Sequence, residues 1–88
     1  MAQNSVTQKQ IDDLIAASDV TVETRFGKVT IVSIRLPHGF VITEAAGCVD
    51  PVNYREDMGK KICLDRIKNK LWELEGYALS KALNIPGQ

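Results

Sequence analysis

Apolar and polar positions along the chain divide it into three patterns. Ile11, Leu14 and Ile15 recur at helical spacing after Thr7-Gln8-Lys9-Gln10. That tetrad fits a capping box, in which the hydroxyl caps a backbone N–H and the glutamine reaches back. A short amphipathic helix ending near Ser18 is expected. Two and a half turns are marginal alone, so it has to dock on something. Residues 1–6 carry no pattern and are expected to be frayed.

The next stretch alternates. Val20, Val22, Thr24 and Phe26 are separated by Thr21, Glu23 and Arg25, which reads as a half-buried strand broken by Gly27. Val29 to Leu36 is β-branched and apolar on both faces, as in a central strand. Pro37-His38-Gly39 is a turn, with proline presetting φ and glycine free to take a positive one. Phe40 to Ala45 returns as a third strand, and short connections make the three an antiparallel meander.

Helical pattern then runs from Asp50-Pro51, an aspartate N-cap with proline in the first turn, to about Leu83, where Asn84 and Pro86 stop it. A helix of about 30 residues would be about 45 Å long. Either it breaks, at Gly59 or Gly76, or it projects and meets a partner. Cys63, Leu64, Ile67, Leu71, Leu74, Ala78 and Ala82 form one stripe, expected on the sheet. Met58, Trp72, Leu79 and Leu83 fall on another side, to be covered by the first helix or by a second copy of the chain. The expected fold is α+β in one domain over residues 1–88: a short N-terminal helix, a three-stranded antiparallel meander, then one long or broken C-terminal helix.

Eighty-eight residues bury only about 60–65% of the unfolded surface, so a large pocket enclosed by one subunit is not expected. Eleven basic and eleven acidic residues cancel. Without a basic field, general nucleic-acid binding is not expected. The charges are nevertheless uneven, with Arg55, Lys60, Lys61, Arg66, Lys68 and Lys70 crowding one stretch. No charged leader precedes an apolar run, and no run approaches the roughly 18 residues of a bilayer span. A cytoplasmic protein with no membrane association and reduced cysteines is expected.

The search for catalytic residues is short. His38 sits in a tight turn, where a polar residue is ordinary. Cys48 and Cys63 have no partnered base, and with one histidine they cannot assemble a zinc ligand set. Adjacent acidic pairs at Asp12/Asp13 and Glu56/Asp57 point apart on a helix, and no glycine-rich phosphate loop is present. No catalytic residue, metal or cofactor is expected, so the chain reads as a binding protein and not an enzyme. Arg66, Lys70, Glu73 and Tyr77 share one ridge of the long helix. Arg66 and Lys70 repel at i, i+4, and either a bound anion or Glu73 would relieve them. Phe40, at the mouth of a hairpin, suits either stacking on a base or the core.

Several segments resemble a family of small tailed-phage and prophage proteins. They are His38-Gly39-Phe40 after a strand, Cys48 to Tyr54, Met58 to Ile62, and Lys70 to Leu79. Within that group the chain is most similar to the phage anti-Thoeris sponges, the Thoeris anti-defence protein one type. Many members of the broad family have asparagine where this chain has His38, and small residues around Cys63 to Ile67; Arg66 pulls toward the sponge branch. The resemblance implies a homo-oligomer, a dimer or hexamer, that sequesters a cyclic nucleotide signal such as cyclised ADP-ribose or a cyclic di- or trinucleotide. On that reading Arg66 and Lys70 hold phosphates, Phe40 or Tyr54 stacks on adenine, and Asn53 or Asp50 reads polar edges. Met58, Trp72, Leu79 and Leu83 then form the subunit interface. The rival reading is a protein-interaction module that docks through this last group of residues.

Overall fold

The computed structural model describes residues 5–83. Helix α1 (Gln8–Ala16) leads into strands β1 (Asp19–Arg25), β2 (Val29–Arg35) and β3 (Val41–Gly47), a 3-10 turn (Pro51–Asn53), and helix α2 (Glu56–Leu83). The sheet is antiparallel in the order β1-β2-β3, so the expected α+β meander and the central place of β2 are both found. Thr7 caps α1 by accepting from the Gln10 N–H at 3.1 Å. Val6, placed in the frayed segment by its sequence, instead packs against the core. Residues 1–4 of that segment and the helix stop at Asn84 and Pro86 lie outside the described residues.

The core is one layer between the sheet and α2. Val32, Ile34 and Ile42 rise from the inner face of the sheet to meet Cys63, Ile67 and Leu71, with Ile11 of α1 and Leu36 closing the ends. Helix α2 lies over β2 and β3. A helix about 10 Å wide covers two strands spaced about 4.8 Å apart and leaves a third thinly covered. Val22 on β1 is therefore half-buried, while Val20 and Thr24 stay exposed. Among the described residues no second layer covers the opposite face of the sheet, where Val29, Ile31 and Ser33 remain half-buried.

Three expectations are corrected. Phe26 does not continue the alternation of β1. It occupies the turn, with Gly27, at φ 56° and 67°, and is 89% exposed. Two successive positive φ values match the right-handed twist of the hairpin, and they carry Phe26 off the inner face. The long helix does not begin at Asp50. That aspartate caps the 3-10 turn, its Oδ1 accepting from the Val52 N–H at 3.0 Å, and α2 starts at Glu56. Finally, the stripe on α2 is buried only as far as Leu71. The helix has 28 residues and no break, so it is about 42 Å long. A strand of seven residues spans about 24 Å. Leu74 reaches only the Phe40 end of β3, Ala78 and Ala82 follow it along the helix, and all three are exposed.

Helix and sheet approach closely at Gly59. A Cβ there would lie 2.7 Å from the Thr30 Cβ and closer still to its Oγ1. Gly76, by contrast, faces open space. Gly59→Ala is therefore expected to lower stability by about 2 kcal/mol through overpacking. Gly76→Ala should raise it by about 0.5–1 kcal/mol through helix propensity. Urea titrations of the two variants give the two signs.

Candidate functional site

The polypeptide leaves β3 and comes back along it. Because α2 runs antiparallel to β3, their seam is lined in order by pairs of residues far apart in sequence. At one end a groove of about 380 Å³ lies between Phe40–Thr43 and Lys70, Glu73 and Leu74. At the other end a smaller cleft of about 160 Å³ is lined by Ala46–Cys48, Asn53, Tyr54, Met58, Gly59 and Ile62. Arg66 closes the seam between them. Its Nη1 donates to the Ala45 carbonyl at 2.7 Å.

The six residues expected to hold a ligand are thus distributed along one seam and do not form one cluster. Phe40 and Lys70 open on the larger groove. Asn53 and Tyr54 line the smaller cleft, and Asp50 is occupied with the 3-10 turn. Both expected phosphate ligands have internal partners: Arg66 holds the Ala45 carbonyl, and Lys70 is ion-paired with Glu44. Glu73 is not what relieves the cations. Glu44 is the one acidic residue on the inner face of β3, between Ile42 and Ala46, and its side chain is 16% exposed. That break in the apolar alternation was the signal for Lys70's partner.

Tyr54 has a structural task that local pattern does not disclose. Its hydroxyl lies 2.7 Å from Thr30 Oγ1 and 2.8 Å from Thr24 Oγ1, across the β1–β2 pair. Thr24 Oγ1 also lies 2.8 Å from Glu56 Oε2, and only the threonine can donate to the carboxylate. The single Thr24 proton being used there, Tyr54 donates to Thr24 and Thr30 donates to Tyr54. This directional chain satisfies the fully buried Thr30 and ends on a carboxylate in the first turn of α2, where the helix dipole favours a negative charge.

The four residues expected at an interface are also separated. Trp72 packs against the core, and Leu79 lines a cleft with Gln10 of α1, whereas Met58 sits beside the 3-10 turn on the seam and Leu83 lies at the end of α2. Exposed His38 borders a second groove of about 230 Å³ with Phe40, Leu71 and Leu74. Both cysteines are free; Cys63 is fully buried, and burial pushes its thiol above the ordinary cysteine range. Among the described residues no group of His, Cys, Asp or Glu is arranged to hold a metal ion, and no helix is long and apolar enough to cross a membrane.

Fold and seam together define a small α+β protein with an open groove between an edge strand and an overhanging helix. The model of the phage protein (N4 Gp49/phage Sf6 gene 66) family matches residues 6–83, and the chain belongs to that family. No curated protein and no solved structure matches it.

Two measurements follow from this geometry. Tyr54→Phe leaves the Thr30 hydroxyl buried without its acceptor, and is expected to cost about 1–2 kcal/mol in urea unfolding. A thiol reagent should label Cys48 in the native protein and reach Cys63 only as fast as the chain unfolds, because the thiolate is the reacting species and burial disfavours it. Equal labelling rates for the two would contradict the packing described.

Proposed function

We propose that this phage protein acts by binding and not by catalysis. It is a sponge that holds a cyclic nucleotide signal, a cyclised ADP-ribose or a cyclic di- or trinucleotide, and so keeps it from host anti-phage defence. One observation carries the reading. Phe40 and Lys70, distant in sequence, open on the same groove, whose volume of about 380 Å³ falls within the size range of small-molecule sites. Phe40 is half exposed, which leaves its ring available to stack on a base. Lys70 offers a point charge for phosphate, with Glu73 and Glu44 beside it as acceptors for ribose hydroxyls. Arg66 must leave the Ala45 carbonyl to reach an anion, so Lys70 is the first phosphate contact in this reading.

A second reading, a protein-interaction module, draws on the opposite end of the sheet. There Phe26, Val49 and Val52 are 89%, 96% and 88% exposed. Large apolar residues so open to water suit a partner's surface.

Calorimetry with cyclised ADP-ribose and a cyclic trinucleotide separates the two. The sponge predicts tight binding by wild type, a loss of about 1.5–3 kcal/mol in each of Phe40→Ala and Lys70→Ala, and a smaller loss in Arg66→Ala. Ligand recovered after denaturation should be chemically intact. Altered product would mean turnover, and no binding by wild type would leave the interaction module standing for these ligands.

A further inference from the structure

We propose that Glu44 sets the phosphate charge that the groove between Phe40 and Lys70 accepts. The groove takes a phosphate with one negative charge, as in a diester, and turns away the doubly charged phosphate of a terminal monoester. The inference rests on the nucleotide reading above and names the form of phosphate that the same site selects.

The residues lining the groove include one cation, Lys70, and one anion, Glu73. Glu44 adds a second carboxylate from below. It stands on the inner face of β3 opposite Val32, with Ile42 and Ala46 on either side of it along the strand. Its side chain is 16% exposed, against 51% for the Lys70 with which it pairs. The pair is therefore lopsided: Glu44 is fixed under the helix by the strand that carries it, and Lys70 reaches outward to the groove. A carboxylate on an otherwise apolar face needs a cation beside it, and Lys70 supplies that.

Arg66 is the other cation of the seam, and it is engaged elsewhere. Its Nη1 donates to the Ala45 carbonyl, between the two spaces. The field of Glu44 also extends beyond the lysine it pairs with. Burial raises the Cys63 thiol most, Arg66 lowers it, and Glu44 raises it again.

A phosphate entering beside Phe40 meets this arrangement one charge at a time. Its first negative charge is answered by Lys70. Whether the ammonium is shared with Glu44 or taken from it, Glu44 stays beneath as a fixed negative charge. A second negative charge on the same phosphate has no lysine left. It faces Glu44 and Glu73, which accept hydrogen bonds and cannot donate them. Like charges set together in a partly desolvated groove repel. A diester phosphate carries one charge, whereas a terminal monoester carries about −1.5 to −2 at neutral pH. Water added across one P–O ester bond of a cyclic nucleotide turns a diester into a monoester and a free hydroxyl. The groove thereby favours the intact signal over the terminal phosphate of its linear product.

Adenosine 5′-monophosphate and its methyl phosphodiester test this, because they share base, ribose and phosphorus and differ by one charge. Their affinities for the full chain are measured by NMR titration at neutral pH and millimolar ligand. Wild type should bind the diester at least about tenfold more tightly than the monoester. Glu44→Gln keeps the side-chain length and an acceptor for Lys70. It should tighten monoester binding and cut the preference below about threefold. If Glu44→Gln does not fold, Glu44→Ala is measured in its place; it repeats the residue at position 46 on the same face and leaves only the half-exposed Lys70 without its partner. Equal binding of the two ligands by wild type overturns the inference, as does a preference that Glu44→Gln leaves unchanged. Binding of the cyclic signals alongside either result leaves the sponge reading in place. A wild type that binds the cyclic signals but not the diester removes this inference alone, and one that binds none of these ligands removes both.

Discussion

The close approach of α2 to β2 at Gly59 and Thr30 sets the geometry of everything else. Along the buried stripe the residues grow from Gly59 through Cys63 to Ile67 and Leu71. A helix resting on side chains of rising size is expected to stand further from the sheet toward Leu71. At the narrow end Tyr54 ties the start of α2 to two strands through its hydroxyl. At the wide end Leu74 and Phe40 stay partly open. The two spaces along the seam follow the same gradient, about 160 Å³ near Gly59 and about 380 Å³ near Phe40. The groove is thus a by-product of how the core is graded, and it lies at the end where the helix leaves the sheet.

Polar residues make the packing specific. A fully buried threonine would be costly in a core this thin, yet its hydroxyl enters a chain that ends on Glu56. Glu44 on the inner face of β3 would be costly too, and Lys70 answers it. Among the described residues no buried side-chain polar atom lacks a partner. Each of these pairs joins a strand to α2 or to the loop before it, and so fixes the axial position of the helix. Apolar packing alone would let the helix slide.

Much of the fold was legible because it is periodic and local. Alternation placed the strands, Pro37-His38-Gly39 the turn, and Thr7 the first helix cap. The misreadings came where a local rule has two structural outcomes. Asp50-Pro51 opens a helical turn of either kind, and the need for Tyr54 to reach Thr24 and Thr30 decides that the first turn stays separate from α2. Phe26 continues an alternation, but the hairpin's twist requires positive φ there. Helical periodicity runs unchanged through Leu74 and Ala78, whereas the sheet beneath reaches only to Leu74. The site was legible as residue types only. Phe40 and Lys70 were named from their chemistry, but their shared groove depends on the antiparallel run of α2 along β3. The partners of Lys70 and Arg66, Glu44 and a backbone carbonyl, are 26 and 21 residues away and leave no trace in local spacing.

Those two cations are held only by weak partners. An arginine on one edge carbonyl and a partly exposed lysine–glutamate pair are each worth about 1 kcal/mol or less in net stability, since water competes for every group involved. Such contacts hold side chains in place without holding them tightly. An anion that took Arg66 from the Ala45 carbonyl would replace a neutral acceptor with a charged one, whereas at Lys70 it would exchange one charged acceptor for another. The chain through Tyr54 and Thr30 has less freedom, because the Thr30 hydroxyl is fully buried and the loss of its partner is felt there. The molecule therefore separates its polar groups by burial: those under α2 fix the shape, and those along the open edge of β3 remain exchangeable.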